Sequence, residues 1–411
     1  MHVLSTDACV RRINTFASRW LPEAESRSSG TRSAASYALM LLVLGGLVCG
    51  PAAHTIVAQE PVPLVAHTNW ATSVAFSPDS QILATGGGQT LMYRPGDVKL
   101  WTPTTGAELA SLPGHETTVW DVAISPNGAL LATATYGHVL KIFDLATRAE
   151  KATLPGHPNW ITSLAFSPDS LLLASASEDT TVKIWDLATN LEKASLAGHT
   201  GTIRSLAFAP DGKTLATASA DKTVKLWNLE TMQERAALST HTEGVWAVAF
   251  SPDGATLATG GEDRSIKLWD PAAGTEKATI AGHKNWVTAL AYSVDGKTLA
   301  SASFDRSVKL WDTATNAEIA TLAGFKGTVW SVAFSPDGKL LAAGSQGDSI
   351  RLWDTATRTE LFRPAAPAEA PAAAAPAAEA PAAVEAPAAA PETPPAAPAE
   401  APATPEPAPA P

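Results

Sequence analysis

Between Ile203 and Phe208 small and large side chains alternate as they would in a strand packed on both faces. Ala209-Pro-Asp-Gly212 follows directly, with Pro, Asp and Gly at the second, third and fourth positions of a type I turn. Further strands are predicted over 215–219, 224–227 and 235–238, with a tight turn holding Asp221 between the first two of these. The pattern recurs every 42 residues, marked by Trp101, then Phe143 in its place, then Trp185, Trp227, Trp269, Trp311 and Trp353. His115, His157, His199, His241 and His283 each lie 28 residues before their landmark, and His67 lies 34 before Trp101. Seven copies of a four-stranded unit with a period in the low forties predict an all-β, seven-bladed β-propeller over residues 59–363.

The small-residue turn ending in His, the Ser-Pro-Asp-Gly turn, the Asp six residues before Trp and the closing Trp-Asp or Trp-Asn together resemble the WD-repeat family. The resemblance covers about three quarters of the chain, in seven in-register copies. It implies that each repeat straddles two blades, and that His, a strand-two Ser or Thr, the turn Asp and the Trp form one hydrogen-bonded network. The matching sets are His157, Asp179 and Trp185; His199, Asp221 and Trp227; His241, Asp263 and Trp269; and His283, Asp305 and Trp311. Blade two departs with Gly137 and Phe143, and blade seven with Phe325 and Gly347, so both are expected to rely on apolar packing and to be softer. For ring closure, the segment 61–65 is expected to supply the outer strand of blade seven in preference to 358–363, which soon runs into Pro364.

Charge changes the picture at the ends. Residues 1–58 carry a net +2, the repeat region −7 and residues 364–411 −6, giving −11 in all, which disfavours a nucleic acid partner. The apolar run Tyr37–Cys49, inside the stretch 34–53, has the length of a secretory signal core and is short for a membrane span. Export to the periplasm or the exterior is expected, with cleavage after Ala58; the alternative is a membrane anchor through 34–53. The tail 364–411 is almost wholly Ala, Pro and Glu, with fifteen prolines, and predicts a disordered, extended spacer. Cys9 and Cys49, the two cysteines, precede the repeats, so cysteine-ligated zinc and disulfide stapling are closed to the propeller.

Six repeated histidines raise the question of metal or acid–base chemistry. Repeat equivalents are spread around a ring instead of converging on one ion, and each His–Asp pair comes with a Trp that accounts for it. Neither a phosphate loop nor a nucleophile elbow is present, and Gly86-Gly-Gly88 lacks the Lys that a phosphate loop needs. The expectation is a monomeric, non-catalytic propeller without metal or cofactor.

Six further tryptophans are more informative. Trp70, Trp160 and Trp286 lie three residues after their His, Trp120 and Trp246 lie five after, and Trp330 takes the matching place in blade seven; blade four has Arg204 instead. A separation of two puts both columns on one strand face, near one rim of the ring. Trp and Arg are enriched at interface hot spots. The resemblance places the binding surface on this face, adding the residues just before the turn Asp: Tyr136, Glu178, Glu262, Phe304 and Gln346. An insertion in blade one adds Met92, Tyr93 and Arg94. The reading is an exported scaffold that binds a protein or peptide through this aromatic rim. Recognition of carbohydrate or another small ligand at the channel mouth is the alternative, and the plainest reading of the indoles is a plug. The opposite face, of Ser-Pro-Asp-Gly and Ala-Thr turns, offers nothing distinctive in the sequence.

Overall fold

The computed structural model describes residue 67 and residues 70–88, 95–347 and 349–362. These form 28 strands in seven four-stranded antiparallel sheets, each built from four consecutive strands, with no helix among the described residues. Blade four comprises Ile203–Phe208, Thr214–Ser219, Val224–Asn228 and Gln233–Leu238, within two residues of the strands expected from the pattern. Its first turn closes through Gly212 N–H to Ala209 O at 2.9 Å, with Gly212 at φ 69°, a conformation that glycine adopts without steric cost. In six blades a Ser or its neighbouring backbone is tied to the Asp or Asn of this turn, as in Ser77 Oγ–H to Asp79 Oδ1 at 2.6 Å.

Each blade buries one face against the next. Trp185 of blade three packs with Leu140, Ile142 and Leu154 of blade two, and the same pairing recurs around the molecule in seven apolar clusters. One of these joins Ala71, Val74, Leu83 and Trp101 of blade one to Leu340, Ala342, Ile350 and Leu352 of blade seven, so the ring is closed. Hydrogen bonds cross the same seam, from Val74 N–H to Ser331 Oγ at 3.2 Å and from Asp337 N–H to Ser80 Oγ at 3.0 Å.

The outer strand of blade seven differs from expectation. Glu360–Phe362 pairs with Leu352 and Trp353, so the carboxy-terminal side supplies it. The physical reason is local. A turn in which the Asp354 carboxylate accepts from Thr357 N–H at 2.7 Å and Oγ–H at 2.8 Å folds the chain straight back, at less loop-closure entropy than recruiting a remote segment. Residues 61–65 lie outside the described residues, as do the export segment 1–58, its anchor alternative 34–53 and the tail 364–411.

The expected networks are present in all four matching blades. His Nδ1 meets the Asp carboxylate at 2.7–2.8 Å, His Nε2 meets a Ser or Thr hydroxyl at 2.6–2.7 Å, and the Trp Nε1–H donates to that hydroxyl at 2.8–2.9 Å. A neutral imidazole with its proton on Nδ1 satisfies every member: it donates to Asp and accepts from the hydroxyl, which accepts from the indole. Burial pushes the His157 and His199 pKa values down, and hydrogen bonds from Thr223, Thr200 and His199 outweigh desolvation to hold Asp221 down to about 2.

Blade one makes the same network with a shifted acid. Asp97, four residues before Trp101, meets His67 Nδ1 at 2.6 Å, while Thr85 Oγ1 joins His67 Nε2 and the Trp101 indole, each at 2.8 Å. Spacing alone hid this set, because the acid sits at a different distance from Trp. Blade seven gains polar and cation–aromatic contacts beside its apolar packing. Arg351 replaces the polar network: its side chain grips Glu360 at 2.7 and 2.5 Å and donates to Ala323 O at 3.1 Å. Its guanidinium also lies 4.4 Å from the Phe325 ring centre and 5.0 Å from that of Trp353.

Blade two is the incomplete one. His115 Nε2 meets Thr133 Oγ1 at 3.0 Å, but Nδ1 is buried without a partner, since Gly137 brings no carboxylate. Desolvation, aided by the nearby Lys141 charge, pushes His115 down to about 4. The unfolded chain therefore takes up this proton near pH 6.5 while the folded one refuses it until about 4, and stability falls as pH drops through that window. Urea unfolding at pH 7 and pH 4.5 is expected to show a loss of about 2 kcal/mol in the parent that His115→Gln lacks. Identical losses in both proteins would remove His115 as the cause.

Candidate functional site

Every inner strand carries a β-bulge at the same place. The register skips Thr72, Trp120, Thr162, Arg204, Trp246, Thr288 and Trp330, one residue per blade. A bulge adds an unpaired residue and re-aims side chains. All seven bulged residues line one cavity of about 190 Å³ on the ring axis. Simple alternation from residue three to residue five after His therefore does not hold, and the two tryptophan columns meet through ring contacts instead.

The bulged residues divide by chemistry. Thr72, Thr162 and Thr288 donate their hydroxyls to the inner-strand carbonyls of Val119, Ile203 and Val329 in the following blades, at 2.5–2.6 Å. These are the three blades whose indole stands two residues earlier, as Trp70, Trp160 and Trp286. In the remaining blades the bulged position itself holds Trp120, Arg204, Trp246 or Trp330.

These side chains converge. Trp70 stacks on Trp330 at 5.7 Å, Trp246 stacks on Trp286 at 5.9 Å, and Trp120 and Trp246 flank Trp330 at 5.8 and 6.2 Å. Phe304 fills the angle between Trp286 and Trp330, at 4.9 and 5.0 Å. All six indoles are half-buried; Trp70, Trp120, Trp246, Trp286 and Trp330 form a plug whose outer surface still meets solvent, and Trp160 packs beside Tyr136. None of them belongs to the seven inter-blade clusters, whereas the closing tryptophans Trp101, Trp185, Trp227, Trp269, Trp311 and Trp353 all do.

The neighbouring turn residues fare differently. Glu262 accepts from Trp246 Nε1–H at 2.7 Å, which orients that ring. Tyr136 is buried, its ring centre 4.0 Å from that of Trp160, so it supports that indole and is not an exposed contact. Gln346 forms an isolated backbone bridge to Trp70, and Glu178 is half-buried. Met92, Tyr93 and Arg94 lie outside the described residues. Arg204 is folded over Trp246, its guanidinium carbon 4.3 Å from the ring centre. Desolvation pushes its pKa down, against the pull of Glu262 and Glu178.

Beneath the plug the axis is polar. Asp121 occupies the position held by Ser73, Ser163, Ser205 and Ser331 elsewhere, and is half-buried in the channel wall. Its carboxylate accepts from Ser73 Oγ–H at 2.6 Å, Val122 N–H at 2.9 Å and Leu164 N–H at 2.7 Å, stitching three blades together. Desolvation outweighs these bonds and pushes its pKa up to about 6. Because the folded value lies above the unfolded one, the contribution to stability is lost as pH rises from 3.8 to about 6. Asp121→Ser, the residue of four other blades, is expected to stabilise at pH 7 by about 1 kcal/mol and to be neutral or worse at pH 3.5, as thermal melts would read. A gain of the same size at both pH values would count against this account.

Two cavities larger than the one at the mouth lie on the other face, a feature not visible in the sequence. Clefts of about 500 and about 440 Å³ open beside the turns between blades six and seven and between blades five and six. Val294, which replaces Pro in the Ser-Pro-Asp-Gly turn, borders both and is 54% exposed. Among the described residues, no group of three or more His, Cys, Asp or Glu is placed to hold a metal ion.

Seven segments, residues 60–101, 106–144, 148–186, 191–228, 232–270, 274–312 and 316–354, match the family model described as WD domain, G-beta repeat. The chain belongs to the WD40 family. Each matched WD40 segment from the second onward begins at or within two residues before the outer strand of one sheet and ends on the closing Trp-Asp, Trp-Asn or Phe-Asp of the next, so the repeat does straddle two blades. WD40 propellers are typically protein-interaction scaffolds and are generally non-catalytic.

Proposed function

We propose that this chain is an exported, non-catalytic WD40 scaffold that docks a protein or peptide on the aromatic channel mouth. One observation carries the reading. Six indoles that contribute nothing to the inter-blade cores are gathered at one end of the axis with part of their surface in water. The inter-blade cores are complete without this aromatic surface, and large, partly desolvated aromatics are what interface centres use. Trp70, Trp120, Trp246, Trp286 and Trp330, with Phe304 and Arg204, form the contact surface, and Trp160 extends it on its Tyr136 support.

The carbohydrate reading has less behind it. The cavity of about 190 Å³ is below the size that usually encloses a small ligand, and its mouth is filled by indoles that stack on one another. The test is capture from a native extract with the full chain and with a Trp70→Ala, Trp286→Ala double variant, beside a parallel arm on immobilised glycans. Protein partners retained by the parent and lost by the variant are expected. Equal retention by both, or retention of glycans alone, would overturn the proposal.

A further inference from the structure

Arg204 is out of place in its surroundings. Its Nε is buried and without a hydrogen-bond partner among the described residues, and Trp330 Nε1–H, bordering the same cavity, is buried and unpartnered as well. Glu262 and Glu178 act on Arg204 only through their charge, neither making a hydrogen bond to its Nε, and Glu262 Oε1 is taken by Trp246 Nε1–H. Arg204 as a whole is half-buried, but a guanidinium N–H removed from water without an acceptor is costly, and a carboxylate is the geometric match to the fork of donors. The site thus calls for a carboxylate whose flanks suit a wall of indoles.

The chain carries that chemistry in its own last 48 residues. Glu-Ala-Pro occurs there four times, at Glu369, Glu379, Glu385 and Glu400, in a tail of little besides Ala, Pro and Glu. A proline-rich strand in the extended polyproline conformation lays its rings on aromatic side chains with little entropy to lose, and the Glu supplies the acceptor. Reach is ample. Three strand spacings of about 4.8 Å separate an outer strand from the inner one. Glu379 lies 17 residues beyond Phe362, and at about 3.1 Å per residue that length spans roughly 50 Å.

We propose that a Glu-Ala-Pro segment of the tail occupies the channel mouth of the same molecule, its carboxylate on Arg204 and its proline against the indoles. This rests on the reading of the mouth as a peptide site and adds its resident ligand. Four copies on one tether hold the local concentration near the millimolar range, so a weak contact suffices and an outside partner must displace it.

Acrylamide quenching of tryptophan emission in the full chain reads the proposal, since six of the 13 indoles stand at the mouth and six others are sealed in the cores. Compared with the parent, a Glu369→Gln, Glu379→Gln, Glu385→Gln, Glu400→Gln variant is expected to show increased quenching, and Arg204→Gln the same increase. The tail substitutions lie outside the blades, so misfolding cannot mimic the effect. A synthetic peptide Ala-Ala-Val-Glu-Ala-Pro-Ala is expected to restore shielding in the tail variant but not in the Arg204→Gln protein. Shielding that is equal in parent and tail variant overturns the assignment. So does shielding that grows with protein concentration, which would place a second copy's tail in the site. Either failure leaves the docking surface itself to be judged by extract capture with the Trp70→Ala, Trp286→Ala protein.

Discussion

Thr217→Val is expected to destabilise the propeller by about 2–5 kcal/mol, measured by urea unfolding at pH 7. The substitution keeps the shape and removes one hydroxyl, yet that hydroxyl serves two buried groups. It donates to His199 Nε2 at 2.7 Å and accepts the Trp227 indole N–H at 2.9 Å. Both would be left unsatisfied inside blade four, at about 1–3 kcal/mol each. Blade two provides the control. Thr133 meets only His115, at 3.0 Å, because Phe143 has no N–H to offer. Thr133→Val is thus expected to cost about 1–2 kcal/mol. Equal costs at the two positions would mean that hydroxyl burial alone, and not the network, sets the penalty.

Replacing Trp120, Trp246 and Trp330 together by Ala is expected to weaken partner binding by a thousandfold or more. Hot-spot aromatics contribute at least about 2 kcal/mol apiece on truncation, and two such losses already amount to about 4 kcal/mol. The three rings sit on bulges, line the axis cavity and touch one another through Trp330, so their removal opens the mouth without entering an inter-blade core. Circular dichroism and the melting transition are expected to remain those of a folded propeller. Unchanged affinity, with partner titrations matching the parent, would remove the mouth from the binding surface.

How much of this was legible in the chain depends on what repeats. Strand pattern, blade count and the His-Asp-Trp sets recur every 42 residues, and a feature selected seven times stands out from one sequence. Departures from the repeat were harder. Asp97 does the work of the turn Asp from a different spacing, and Arg351 builds a cation–aromatic sandwich in blade seven where Phe325 and Gly347 stand in place of His and Asp. The tryptophan columns were visible, but their meeting depends on a bulge that residue counting does not register, since the extra residue leaves no mark in composition. Tyr136 read as a surface aromatic because nothing local reveals that Trp160 of the adjoining blade covers it. The clefts beside Val294 are lined by residues of two neighbouring blades, and so are a property of the assembled ring.

Those clefts are the natural rival to the mouth, being larger and partly apolar. Hydrogen exchange on the full chain with and without its captured partner separates the two faces in one measurement. The account predicts slowed exchange in the backbone amides at the starts of the inner strands, around Trp120, Trp246, Trp286 and Trp330, with the turns at Val294 and Pro336 unchanged. Protection confined to those turns, with the amides around the four tryptophans exchanging as freely as before, would contradict it.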